Sequence, residues 1–171
     1  GQAQILKGLR DKPNIALTSI VNVTDNGGSS KAVRESMNMP APGDVRRCIE
    51  TLADTNIHAD MLGFRFGTGP LAGISLGNLL LAFHTKRLGN FGKAVEYISK
   101  ELKTKGTIYP ATATDANICV ELKTGQKICG EWEIIRRRST APIARAYLRP
   151  RAPMYPKIKT ALQKAALIVI A

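Results

Sequence analysis

Asp25-Asn26-Gly27-Gly28-Ser29-Ser30 places a carboxylate, a carboxamide, two glycines and two hydroxyls in six consecutive positions. Those types suit an anionic ligand. Gly27 and Gly28 allow positive φ and a close approach of backbone to ligand. Ser29 and Ser30 fall where a helix leaves its first N–H groups unpaired, and such a terminus attracts phosphate. Asp25 offers oxygen to a metal ion or a sugar hydroxyl, and Asn26 offers both a donor and an acceptor. A tight strand-to-helix turn with serine caps calls for the same residue types, so from these six alone ligand site and plain turn stand level.

Two further stretches carry comparable chemistry. Pro42-Gly43-Asp44-Val45-Arg46 opens a new helix at Asp44. Asp44 reads first as its N-cap, with a ligand-facing role as the alternative. Gly73-Ile74-Ser75-Leu76-Gly77-Asn78 contains G-x-S-x-G, the pattern of a hydrolase nucleophile elbow. That elbow needs a strand running into the serine and a histidine well downstream. The residues before Gly73 are a loop bounded by glycine and proline, and His84 falls on the same helix as Ser75, which argues against a serine hydrolase. Gly73, Ser75, Gly77 and Asn78 read instead as a third helix start. In open parallel sheets ligands sit outside the carboxyl ends of the strands. Three starts at Ser29, Asp44 and Ser75 sharing one rim would suit a nucleotide or nucleotide sugar. No general base with a clear partner emerges, so binding is better supported than catalysis.

The elements that must position these groups follow from periodicity. Ile5, Leu6 and Leu9 mark a first helix. Ile15 to Val21 is short and apolar on both faces, as a central parallel strand is. Helix resumes from Lys31 to Met37, and Val45, Cys48, Ile49, Leu52 and Ala53 form one buried stripe of the next, leaving Arg46, Arg47 and Glu50 outside or at the loop end. Phe64 to Pro70 reads as a mobile loop. Leu76 to Phe83 is apolar nearly all round, predicting a helix buried against a sheet. Asn90 caps another that buries Phe91, Ala94, Val95, Ile98 and Leu102. Thr107 to Tyr109 is a second strand ended by Pro110. Asn117 to Leu122 and Lys127 to Ile135 read as a hairpin about Lys123-Thr124-Gly125-Gln126, with Ile143 to Leu148 a third strand. Ile158, Ala161, Leu162 and Ala165 mark a last helix leading to a strand at Leu167 to Ile170. The expected fold class is α/β: a three-layer domain, mainly parallel, with a small antiparallel β insertion at about 117–149.

Composition bounds the rest. At 171 residues, 44% hydrophobic and 22% charged, one globular domain spanning 1–171 is expected, with no apolar run of membrane-crossing length and no signal peptide. Both ends look cut, so the chain is expected to be part of a longer one. Of the net charge of +12, residues 123–164 supply 11 Lys/Arg against 2 Asp/Glu. That asymmetry favours an acidic partner, but Arg136-Arg137-Arg138, Arg145, Arg149 and Arg151 have only Tyr147 and Trp132 near them for stacking, which argues for solvated surface over nucleic acid. His58 and His84 lack partners at metal-ligand spacing. Cys48, Cys119 and Cys129 are expected to be free, buried thiols of a cytoplasmic protein.

The chain resembles, over nearly all its length, the bacterial gluconeogenesis factor family (the UPF0052 group), which is related to the 2-phospho-lactate transferases of deazaflavin coenzyme synthesis. Asp25 to Ser30 is similar to that family's Asp-(Asp/Asn)-Gly-Gly-Ser-Ser/Thr signature, Pro42 to Arg46 to its Pro-Gly-Asp-Ile-Arg, and Gly73 to Asn78 to its Gly-His-Ser/Asn-Leu-Gly-Asn. The family has His where Ile74 stands, so no acid–base step is assigned there. The resemblance implies a Rossmann-like fold and further phosphate turns before Gly1 and after Ile170. It implies a ligand site at Asp25, Asn26, Gly27, Gly28, Ser29, Ser30, Pro42, Gly43, Asp44, Arg46, Gly73, Ser75, Gly77 and Asn78. One branch implies UDP-sugar binding linked to carbon metabolism, cell-wall precursors and cell shape. The transferase branch implies magnesium, for which Asp25 is the candidate ligand. Oligomeric state, including a homo-oligomer, is left open.

Overall fold

The computed structural model describes residues 1–170; Ala171 and the side chain of Ser29 lie outside the described residues. The chain runs α1 (Gln2–Leu9), β1 (Thr18–Val21), α2 (Gly28–Met37), α3 (Gly43–Leu52), α4 (Asn56–Gly63), α5 (Leu76–Leu88), α6 (Phe91–Glu101), β2 (Thr107–Pro110), β3 (Asn117–Leu122), β4 (Lys127–Cys129), α7 (Glu131–Ile135), β5 (Ile143–Arg149) and α8 (Pro156–Lys164). β1 and β2 pair in parallel with Ile20 opposite Tyr109, while β4, β3 and β5 form a separate antiparallel sheet in that order. This is the α/β architecture expected, with a parallel sheet and a small antiparallel one.

The main core is one cluster in which Val21 and Ile108 of the parallel sheet meet Val45, Cys48, Ile49 and Leu52 of α3, Leu81 of α5 and Phe91, Val95 and Ile98 of α6. The i, i+3, i+4 spacing of α3 accounts for its burial directly, because residues so spaced share one face. Asn90 Oδ1 accepts from Lys93 N at 3.0 Å and caps α6 as its sequence predicts.

Several boundaries differ from the sequence reading, each for a local reason. β1 begins at Thr18 rather than Ile15: Asn14 takes φ 62°, and Ile15 is left exposed with no ladder partner. α2 begins at Gly28, three residues before Lys31, directly after an extended Gly27, and Gly28 itself takes φ 52°. β2 includes Pro110, whose missing N–H costs nothing on the side away from β1. Phe64 to Pro70 is a loop, as read, but the stretch to Ser75 is internally bonded. It doubles back on itself, with Phe66 N donating to Ile74 O at 3.1 Å, Gly73 N to Phe66 O at 2.8 Å and Leu76 N to Phe64 O at 2.8 Å. α5 is not buried all round: it packs on α2, α3, α4 and α6, and Phe83 is 59% exposed on the uncovered side. The extended run from Lys127 stops at Cys129, because Gly130 takes φ 101° and turns the chain into α7. Leu167 to Ile170 is exposed and pairs with none of the described strands, and strand geometry depends on such a partner.

The cysteine expectation is also corrected. Cys119 and Cys129 stand directly opposite in the β3–β4 register, with Cα atoms 4.0 Å apart, and are joined as a disulfide. The sequence left that register undetermined. Only Cys48 is a free thiol among the described residues, and burial pushes it up to about 11.

Candidate functional site

Glycine lets three helix starts crowd together. A Cβ on Gly43, in the first turn of α3, would collide with Ser30 Oγ in the first turn of α2. One on Gly77, in the first turn of α5, would lie 2.7 Å from Arg46 Cγ and 2.8 Å from the Leu62 carbonyl oxygen. The glycines are therefore needed for close packing as much as for backbone freedom. Arg34 fixes the corner from behind. The residue is 4% exposed, and its guanidinium donates to Asp115 Oδ1 at 2.6 Å, to Ala116 O at 2.8 Å and to Asp25 O at 3.3 Å, tying the β1–α2 turn to the segment after β2.

Beside this corner is a cleft of about 730 Å³. All three sequence motifs reach it: Asp25, Gly27, Gly28 and Ser30 from the first, Gly43, Asp44 and Arg46 from the second, Gly73 and Asn78 from the third. The remaining predicted residues act from outside its lining. Pro42 occupies the N-cap position of α3. Ser75 is fully buried, and its hydroxyl caps α5 by accepting from Asn78 N at 3.3 Å. Asn26 Oδ1 accepts from Trp132 N at 3.3 Å, and Gly77 makes room for the stem of Arg46. The side chain of Ser29 lies outside the described residues.

Two expected roles change. Asp44 is not the N-cap of α3 but its second residue, within the first turn, and neither α2 nor α3 has a side-chain cap among the described residues. Both starts thus keep their amide donors for another partner. Arg46 is buried, not at the surface, and is paired with Glu50 one turn on. Its Nε, like Asn78 Oδ1, is buried without a hydrogen-bond partner among the described residues.

Sequence reasoning missed the fourth wall. Glu131, Trp132 and Ile135 of α7 line the cleft, as do Arg47, Arg65, Pro70 and Ala72. One signal was present: Glu131 and Glu133 are the two acids of the basic stretch 123–164. Burial pushes Glu131 above the usual carboxylate range, and the charge and hydrogen bond of Asp25 and the charge of Asp44 push the same way. Asp44 is likewise raised by burial and by Asp25, with Arg47 and Arg46 opposing. The cleft therefore holds mutually repelling carboxylates beside the guanidinium groups of Arg46, Arg47 and Arg65, the last bonded to Gly73 O at 2.6 Å.

Fold and cleft together define a Rossmann-like α/β domain with glycine-cornered helix starts around a polar cleft. The chain belongs to the family described as 2-phospho-L-lactate transferase CofD, whose model matches residues 1–171. It is 34% identical over 170 residues to a putative gluconeogenesis factor of Thermotoga maritima, covering 99% of this chain and 54% of that protein. It is 35% identical over 178 residues to the gluconeogenesis factor of Bacillus subtilis, again covering 99% and 54%. A crystal structure of a UPF0052 family member from Bacillus halodurans superposes with a TM-score of 0.92 at 34% identity, covering 100% of this chain and 55% of that one. The chain spans about half the length of the relatives it matches. Among the described residues no helix is long and apolar enough to cross a membrane.

Proposed function

We propose that this chain forms part of the ligand site of a cytoplasmic gluconeogenesis factor that binds a nucleotide sugar of the UDP-sugar type and adjusts carbon metabolism and cell-wall precursor supply. The observation that carries this reading is the pair of helix starts, α2 and α3, which border one cleft without side-chain caps. Their free amides and helix dipoles favour a phosphate, and Arg46 and Arg47 add positive charge. Isothermal titration of the full-length protein with UDP-N-acetylglucosamine tests it. Saturable heat is expected, and a folded sample that gives none overturns the reading.

A second reading, a magnesium-dependent transferase, is favoured by the family match and by the acidic side of the cleft. Burial and the charge of Asp25 both raise the proton affinity of Glu131 and of Asp44, and a divalent cation would relieve that crowding of negative charge. Asp25 and Glu131 would hold it, and among the described residues no three such groups form a complete cage. Ligand phosphate and water would fill the other positions, as magnesium commonly requires. When bound, the ion would neutralise phosphate charge. A deazaflavin acceptor that yields no product from a nucleotide-linked phospholactate removes this second reading.

A further inference from the structure

We infer that Trp132 is a stacking platform for the heterocyclic base of the ligand, so that this residue makes the cleft select nucleotides over sugar phosphates that lack a base. The inference rests on the phosphorylated-ligand reading above. Trp132 is the one tryptophan of the chain, borders the cleft, and remains 42% exposed outside the main hydrophobic cluster. Ile135 beside it also lines the cleft at 67% exposure. Together they leave apolar area in water at the wall of the cleft.

The ring is nevertheless held. Arg136 Cζ lies 4.4 Å from its centroid, the backbone N–H donates to Asn26 Oδ1 at 3.3 Å, and its Nε1 edge rests where a Cβ on Gly27 would be. A fixed indole backed by a cation is a good surface for a planar base. Asp25, Asp44, Arg46, Arg47, Arg65 and Glu131 bring charge to the same cleft. An apolar planar spot in such surroundings matches a ligand with a flat ring at one end and phosphate at the other.

The test compares the dissociation constants of the full-length protein for uridine monophosphate and ribose 5-phosphate in wild type, Trp132→Phe and Trp132→Ala. Base-on-aromatic stacking predicts that wild type prefers the nucleotide by roughly 10-fold or more. Trp132→Phe should keep most of that preference, and Trp132→Ala should bring it near unity by weakening the nucleotide more than ribose 5-phosphate. Gly27→Ala, whose backbone at φ −98° and ψ 156° accepts a side chain, should displace the indole and lower the same ratio. A ratio unchanged in Trp132→Ala, or equal weakening of both compounds, overturns the platform and leaves the phosphate reading standing. Absence of binding of both compounds by wild type removes the reading of the cleft and the platform with it.

Discussion

Arg34 holds Asp115 at 2.6 Å inside the body of the molecule, and Arg145 holds Glu121 at 2.7 Å on the face of the β3–β5 arm. The Arg34 side chain is 5% exposed and that of Arg145 is 65% exposed. The contrast extends to the elements around them. In β1, Ser19 and Val21 are buried, whereas β5 is exposed at almost every position. The arm keeps its own small buried set, Cys119, Val120 and Leu122, apart from the main cluster. The cleft lies between these regions, with helix starts on the body side and Glu131 and Trp132 on the arm side. One side is set by close packing and buried hydrogen bonds, and the other hangs from a covalently closed hairpin.

The largest test of that contrast is Arg34→Met, which leaves Asp115 and the Ala116 carbonyl without their donor. A loss of about 3 kcal/mol in urea unfolding is expected, at the low end for a broken buried pair because Asp115 is partly solvated. A loss below about 1 kcal/mol would show that the body does not depend on this staple. Reducing the Cys119–Cys129 bridge with dithiothreitol comes next, at about 2 kcal/mol and local to the arm. Hydrogen exchange should then speed up in β3, β4 and α7 while α3 and α6 stay protected. Equal loss of protection in α3 would mean that the two regions unfold as one unit. Arg145→Ala is the smallest, under about 0.5 kcal/mol and vanishing in high salt, since the pair it breaks is solvated. A loss comparable to that of Arg34→Met would erase the distinction.

What the amino-acid order fixed by itself was whatever depends on near neighbours. The stripe Val45, Cys48, Ile49 and Leu52, the cap at Asn90 and the three glycine-cornered helix starts are all patterns within a turn or two, so their chemistry is readable along the chain. Tertiary structure alone decided which far residues meet. Asn26 and Trp132 are 106 positions apart, and the wall carrying Glu131 exists only because Gly130 turns the chain into α7 beside the first motif. Arg46 sits on its helix where a surface charge is expected, and it is buried because Gly77 of α5 lets that helix close over its stem. The register that joins Cys119 to Cys129 was equally invisible, because strand pairing depends on where the β3–β4 turn places its hydrogen bonds and not on the spacing of two sulfurs in the sequence.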